Sequence, residues 1–348
     1  MTGSKDYNMY ANVHQDRHYK LMELTPQLLK LIEENNEPLT VKASGNDSEI
    51  VMCTKDQTFA IRQRNHSNTV MIMTANKEEE HLCGYTTMHS VYEVHKASGS
   101  IDITDIPIYD GADSLKGLKS TITLEKLKND SAISEKEFDA VWFSLNGSAY
   151  NDTAIILSDD FITRTLHVML MSIMAAKLNI DELSLIEVYQ SMEEDPEFTI
   201  DIIETVLRKF VKGEREPFVM NKTKIAQWYG NEALRKHASK KPLTVSDFLF
   251  KWKSELPPFF DCPIDLPLLY GHFCAPLPDR VQFVSRPSLP SDVNNRLKVL
   301  FKLQSTWELD QLMPFVEEFN VKGVKPENFI MKFAKKKKVG KKIMITPR

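Results

Sequence analysis

The sequence predicts an α+β protein in which a β-rich N-terminal domain precedes a series of helical units. Residues 1–112 carry short apolar segments of β-forming residues between polar breaks, whereas strand signals become rare from about residue 113. Similar helix-opening segments then recur about every 60 residues. The 348 residues exceed one domain of about 150 residues, so we expect several domains. Hydrophobic residues at 42% and charged residues at 26% exclude a disordered chain.

The N-terminal domain, residues 1–112, is predicted to open with a short helix and to continue as an antiparallel meander. Thr25 is a good N-cap, and Pro26 occupies the first helical position. Strands are predicted from the segments LTVKASG, EIVMCT, TFAIRQR and NTVMIMT, and a further hairpin from SVYEVHK and SIDITDI. Residues 76–88 between them are predicted to be a polar surface loop. About five short strands favour a small β-barrel or half-barrel.

Such a sheet has too few strands to close easily, and unpaired strand edges recruit strands from other chains. Apolar residues of the predicted strands are therefore the candidate partner-binding residues: Val51, Met52, Phe59, Ile61, Val70 and Ile72. The alternative is that the sheet closes on itself or is capped by the first helix.

The helical part contains four similar openings that indicate an internal repeat. They begin at Ile122, Leu183, Leu243 and Trp307, which gives intervals of 61, 60 and 64 residues. Two openings have capping-box spacing, Ser184 to Glu187 and Thr244 to Asp247.

Each repeat continues with a second amphipathic helix, a polar hairpin and a longer helix, an order typical of the winged helix. Tandem helical hairpins with incidental loops would give the same order and remain the alternative. We predict winged-helix domains over residues 113–180 and 181–242, and a winged-helix array with a basic C-terminal wing over residues 243–348.

Signatures of catalysis and of metal binding are missing from the sequence. It contains no Walker, GxGxxG, GxSxG or HExxH pattern, so we predict no catalytic residues and no enzyme. His272 and Cys274, with Cys262 upstream, are too few for a structural zinc site, as are His81 and Cys83. We therefore expect no metal and no cofactor, and four reduced thiols in an intracellular protein that lacks a signal peptide or membrane span.

The C-terminal segment has the opposite charge from the rest of the chain. The net charge is −4, yet residues 322–348 contain ten Lys or Arg and one acidic residue. The candidate DNA-contact residues are Lys332, Lys335, Lys336, Lys337, Lys338, Lys341, Lys342 and Arg348. A solvated tail or a nuclear-localisation patch would look similar. Phe329, Ile330 and Phe333 before the lysines, and IMIT after them, favour a folded basic wing that contacts phosphates.

Several long blocks in order resemble a known family. They are residues 50–73, the segments IAQWYGNEALRKHA and FLFKWKSELPPFFDCPID, and the ending from Arg296 through the lysine run. These blocks resemble the budding-yeast type of the sister chromatid cohesion family called "defective in sister chromatid cohesion, one". The resemblance runs from about Tyr19 to Arg348.

The resemblance implies a nuclear, non-catalytic subunit of the alternative, cohesion-linked replication factor C clamp loader. In that family the β domain joins the small subunit and the C-terminal tail of the large subunit in a composite barrel. The winged helices, usually three where we count four, are implicated in binding single- or double-stranded DNA and in docking the catalytic subunit of DNA polymerase epsilon. The alternative function is a stand-alone winged-helix DNA-binding regulator, which would need a base-reading helix and usually a dimer.

Overall fold

The computed structural model describes residues 8–14, 19–34, 37–43, 49–76, 81–116, 122–192, 195–213 and 215–348. It divides into two compact units, residues 1–158 and 159–348, and it confirms the predicted α+β class. The domain boundaries given above stay predictions. Each unit is described by itself below.

A six-stranded mixed sheet forms the larger part of the first unit. Its elements in chain order are β1 Asn8–His14, β2 Met22–Glu23, α1 Pro26–Glu34, β3 Thr40–Lys42, β4 Val51–Cys53, β5 Thr58–Asn76 and β6 His81–Lys96. The strand order is β1-β6-β5-β4-β3, and β2 also pairs with β6. Both β1 and β2 run parallel to β6, whereas β3 to β6 pair antiparallel.

Of the predicted barrel or half-barrel, the closed barrel is wrong for the residues that the structure describes, where the sheet stays open with β1 and β2 along one edge and β3 at the other. The strands are longer than expected, with 19 residues in β5 and 16 in β6. The polar segment from Asn65 to Asn68 is not a turn. It lies inside β5, where the register with β6 shifts between Asn65 and Val70. These polar residues mark a shift in the pairing register within one strand. In the sequence they resemble the end of a strand, which is why two short strands were predicted in place of β5.

Two further sequence predictions in this region are corrected. Residues 81–88 were predicted to be part of a surface loop, yet they form the first half of β6. The second strand of the predicted hairpin, residues 100–106, is not a strand. Within it, Ser100 instead makes an isolated bridge to Ala132.

Helix α1 covers part of one face of the sheet. The Thr25 hydroxyl accepts a hydrogen bond from the Leu28 N–H at 3.3 Å, which confirms the predicted helix start. Leu28 packs with Met52, Phe59 and Val94 in a small buried core. The sheet is thus partly capped by the first helix, which is the alternative left open above.

The rest of the first unit consists of β7 Ile108–Tyr109, α2 Leu124–Asp130, α3 Glu135–Ser144, β8 Gly147–Tyr150 and β9 Thr153–Leu157. The three strands form a sheet of order β7-β9-β8. Ile133, Phe138 and Trp142 form the centre of a second core beneath them.

Hydrogen bonds join the large sheet to the start of α3. The Thr58 hydroxyl donates to Oε2 of Glu137 at 2.6 Å and accepts from the Ser134 N–H at 2.8 Å. From the edge strand β3, the ammonium group of Lys42 donates to the carbonyl groups of Lys128 and Ile133, at 3.3 and 3.1 Å. Residues on both sides of position 112 are therefore bonded to one another within the first unit.

We expect Thr58→Val to lower the free energy of unfolding of the full chain by about 1–3 kcal/mol, because it leaves the buried Ser134 N–H without its acceptor. Chemical denaturation followed by circular dichroism would measure the loss. Thr69→Val, an exposed threonine in the same strand, is the matched control and should change stability little. Equal losses for the two variants would contradict this role of Thr58.

The second unit is mainly helical. Its elements in chain order are α4 Asp159–Ala175, α5 Leu185–Ser191, α6 Ile200–Phe210, β10 Val211–Lys212, β11 Val219–Met220, α7 Lys222–His237, β12 Leu243–Thr244, α8 Val245–Glu255, β13 Phe273–Cys274, β14 Arg280–Phe283, α9 Val293–Leu303, β15 Trp307–Glu308, α10 Leu309–Leu312, α11 Pro326–Ile330, β16 Lys335–Val339 and β17 Lys342–Thr346. All its described sheets are small, with two or three strands each.

The four sequence repeats have structural counterparts, which we call modules one to four: residues 122–157, 183–220, 243–283 and 307–346. In each module, a residue of the opening segment pairs antiparallel with the second strand of the hairpin. In module two the paired residue directly precedes that strand. The four pairs are Thr123 with Thr153, Leu183 with Phe218, Leu243 with Val281, and Trp307 with Ile345. A helix follows each opening, and a second helix or a short 3₁₀ turn precedes each hairpin.

Longer helices connect successive modules inside the second unit. Helix α7 follows module two and packs against α6 of that module and against α8 of module three. Gly230 allows this approach, since a Cβ there would lie 2.7 Å from the ring of Trp252. Helix α9 contributes Leu297 and Leu300 to one core that also includes Cys274 of module three and Trp307 of module four.

Candidate nucleic-acid interface

The predicted basic wing is a β-hairpin at the end of module four. Strands β16 and β17 are joined by the two-residue turn Gly340-Lys341, and Gly340 has a φ of 61°, as a type II′ turn requires. The sheet order is β15-β17-β16, so the lysine-rich strand β16 is its edge strand. All five residues of β16 are exposed.

A buried core holds this hairpin in place. Ile345 of β17 is fully buried with Phe329 and Ile330 of α11, and the half-buried Phe333 and Ile343 pack against them. The prediction that the basic segment is folded is therefore confirmed.

Strand pairing sorts the lysines between two faces, because directly opposed residues in an antiparallel pair point to the same side. Lys336 and Lys338 oppose Ile345 and Ile343, so they share the face that covers the core. Lys335 and Lys337 oppose Thr346 and Met344 on the outer face. The hairpin thus presents ammonium groups on both faces of its free edge.

Two of the lysines are neutralised by carboxylates. Lys336 forms an ion pair with Glu327 of α11. Nζ of Lys342 lies 2.5 Å from Oε1 of Glu308 in β15, and this hydrogen bond raises the pKa of Lys342 above its ordinary value. These two ammonium groups already have an anionic partner.

The remaining hairpin lysines are Lys335, Lys337, Lys338 and Lys341, and none has an ion-pair partner in the part of the chain that the structure describes. Four exposed, uncompensated cations within seven residues create a local positive potential that suits an extended polyanion. Of the other two predicted residues, Lys332 is exposed just before the hairpin, and the guanidinium group of Arg348 donates to the Met331 carbonyl at 2.6 Å. The C-terminal residue therefore returns to the beginning of the basic segment.

The six predicted partner-binding residues do not share one exposed surface. Val51, Met52 and Phe59 are buried in the cores of the first unit, whereas Ile61, Val70 and Ile72 are half-buried along β5. Their assignment to a partner stays a prediction.

Sequence reasoning missed the exposed apolar residues at the edge of the sheet. Val41 in edge strand β3 is 63% exposed, and Ile50 just before β4 is 51% exposed. The segment LTVK carries β-forming residues beside a polar turn, so the sequence does indicate a strand there. That this strand lies at the edge of the sheet follows only from the strand order in the structure.

The thiols and the predicted metal candidates do not form a site among the described residues, where no group of three or more potential ligands lies together. Burial raises the pKa of Cys53, and it raises the pKa values of Cys262 and Cys274 to about 11. These thiols therefore stay protonated and weakly nucleophilic near neutral pH. Within the described ranges, every helix is too short or too polar to cross a lipid bilayer.

The sheet, the repeated modules and the hairpin define a modular α+β protein whose lysine-rich edge strand suits a polyanion. The sequence model of the sister chromatid cohesion protein Dcc1 family matches residues 19–316, and the chain belongs to this family. Sister chromatid cohesion protein DCC1 of Saccharomyces cerevisiae is 37% identical over 383 aligned residues, covering 98% of this chain and 99% of the yeast protein. A probable sister chromatid cohesion protein DCC1 of Dictyostelium discoideum is 21% identical and covers 97% and 96% of the two chains.

The resemblance inferred from the sequence is thus confirmed, and family membership supports a role in sister chromatid cohesion. The residues matched by the family model end at position 316, before the basic hairpin begins. The geometry of the hairpin therefore adds information that the family match does not carry.

Proposed function

We propose that this protein is a nuclear, non-catalytic subunit of the cohesion-linked replication factor C clamp loader and connects that complex to DNA. The observation that carries the DNA contact is the folded edge strand β16, in which Lys335, Lys337 and Lys338 are exposed and have no ion-pair partner among the described residues. Lysine ammonium groups act as point charges on phosphate oxygens and carry little base information. We therefore propose contact that does not depend on DNA sequence, with single- or double-stranded DNA.

We further propose that the four modules are winged-helix domains. In support, each opening segment pairs with the hairpin and is followed by a helix and a second helical segment. One or more of these modules would dock the catalytic subunit of DNA polymerase epsilon.

For the first unit we propose assembly with the small subunit and with the C-terminal tail of the large subunit. Edge strand β3 supports this proposal, because its outer backbone groups face no other strand among the described residues and Val41 is exposed there. A partner strand that added to β3 would pair these groups and cover that side chain.

Assembly tests the proposed function directly. We expect the full chain to form a stoichiometric complex with the recombinant small subunit and the large-subunit tail, as measured by size-exclusion chromatography with light scattering. Val41→Glu should weaken this assembly tenfold or more, because a charge on an edge strand opposes strand addition.

Ile32→Glu, at a 46% exposed position on helix α1, is the matched control and should leave assembly intact. A chain that forms no complex, but dimerises and prefers one DNA sequence, would contradict the clamp-loader proposal and support the stand-alone regulator.

A further inference from the structure

The loop that follows α8 holds an aromatic side chain almost entirely in solvent. Phe259 is 98% exposed, and Phe250 on α8 is 75% exposed, although Phe248 and Trp252 of the same helix are fully buried. The exposed rings therefore face away from the core that α8 helps to form.

The backbone at Phe259 is of the kind that glycine favours. The Phe260 N–H donates to the Pro257 carbonyl at 3.2 Å, and Phe259 has a φ of 67°. Pro258 and Phe259 are thus the second and third residues of a type II β-turn, whose third position normally holds glycine or asparagine. A bulky residue there is disfavoured by steric contacts of its Cβ. The ring of Phe259 is not buried, and a phenylalanine is unfavourable at this position of the turn. Its presence therefore does not stabilise the fold.

A cavity of about 430 Å³ lies beside the exposed ring. Its lining includes Lys253, Pro258, Phe259, Cys262 and Ile264. Phe250 lies three residues before Lys253, so the two side chains occupy neighbouring positions on one side of α8. We call Phe250, Lys253, Pro258 and Phe259, together with the cavity, the aromatic surface.

The charges of the aromatic surface indicate what kind of partner it fits. Lys253 and Asp261 both line the cavity, and neither has an ion-pair partner within the described ranges. Single strands of nucleic acid and anionic lipid surfaces are attracted by grooves or faces of uniformly positive charge. A cation and an anion at one cavity, beside apolar rings, instead match a protein surface with its own apolar pockets and complementary charges.

We propose that the aromatic surface docks a folded protein whose apolar pocket receives the ring of Phe259 and whose carboxylate faces Lys253. A projecting aromatic ring is the kind of anchor that dominates protein interfaces. The cavity beside it accepts an apolar side chain of the same partner. This surface belongs to module three and includes neither a hairpin lysine nor a residue of β3.

Phe259→Gly in the full chain gives the first test. We expect the melting temperature to rise by about 2–4 °C, because glycine relieves the left-handed turn and the ring has no packing to lose. Phe248→Ala, on the buried side of α8, is the contrasting variant and should lower the melting temperature. A lower melting temperature for Phe259→Gly would show that the ring packs within the chain and would overturn the proposal.

The second test identifies the partner and measures its binding. A photoreactive benzoylphenylalanine at position 259, compared with one at the 91% exposed Val321, identifies proteins cross-linked only at the aromatic surface. The purified cross-linked protein is then titrated with the unmodified full chain. We expect about 30-fold weaker binding for Phe259→Gly and weaker binding for Lys253→Glu.

Unchanged affinity in both variants would overturn the proposal, and so would the absence of any protein cross-linked at position 259 but not at position 321. So would self-association of the chain in sedimentation experiments, or binding to anionic vesicles or a single-stranded oligonucleotide, if Phe259→Gly removed it. The melting-temperature test and these titrations do not involve the hairpin lysines, so their failure would leave the proposed DNA contact standing.

Discussion

Replacing Lys335, Lys337, Lys338 and Lys341 together with Ala is expected to flatten the slope of log affinity against log salt by about 3–4 units on duplex DNA. Each phosphate contact contributes roughly 0.9 to that slope, because a bound cation releases condensed counterions. These four lysines are the hairpin cations that no carboxylate neutralises among the described residues. Affinity should fall to a similar degree for unrelated duplexes, as measured by fluorescence anisotropy over a series of salt concentrations.

The matched control is the double variant Lys336→Ala with Lys342→Ala. It removes two lysines from the same hairpin, yet the slope should change by less than about one unit, because Glu327 and Glu308 already neutralise them. Conversely, Glu327→Gln with Glu308→Gln should make the slope steeper by releasing both ammonium groups. An unchanged slope in the fourfold variant would mean that the basic segment is a solvated tail or an import signal.

Trp307→Ala is expected to lower the free energy of unfolding of the second unit by about 3–5 kcal/mol. The indole is fully buried, its ring lies 5.6 Å from that of Phe315, and its N–H donates to the Leu300 carbonyl at 3.3 Å. Its strand β15 also pairs with β17 of the basic hairpin. Loss of the indole should therefore release the hairpin, which amide hydrogen exchange in β16 and β17 would detect.

Trp228→Ala serves as the comparison for this variant. That indole is half-buried, so we expect a smaller loss of about 1–2 kcal/mol and unchanged exchange in the hairpin. Equal losses for the two variants, or a protected hairpin in Trp307→Ala, would contradict the view that Trp307 anchors module four.

The repeat was predictable from the sequence because its signals are local. Thr123 and Thr244 each accept a backbone hydrogen bond as N-caps of opening helices, and such caps follow from residue type and spacing. The cap predicted at Ser184 is wrong, because its side chain makes no hydrogen bond to the helix that follows it. The strand pairing of the first unit was not predictable in the same way. Whether the polar residues after Asn65 end a strand or shift its register depends on β6, which is distant in the sequence.

The candidate site was predictable in part for a similar reason. The lysine run is visible in the sequence, whereas the partners Glu327 and Glu308 lie 9 and 34 residues from the lysines they neutralise. Apolar residues such as Met52 and Phe59 mark a strand, but they do not distinguish a core from a recognition surface. That distinction depends on α1, whose Leu28 covers them.

Helix α7 sets the rotation of module three relative to module two about the helix axis. It packs on both modules, and its 16 residues rise about 24 Å at roughly 1.5 Å per residue. One residue inserted in its middle would rotate module three by about 100° around the helix axis, whereas a residue added to the turn at Gly213 would alter only the hairpin. Insertions and deletions should therefore be tolerated in the hairpins of the second unit but not within α7, because the length of α7 determines the spacing and the relative rotation of modules two and three.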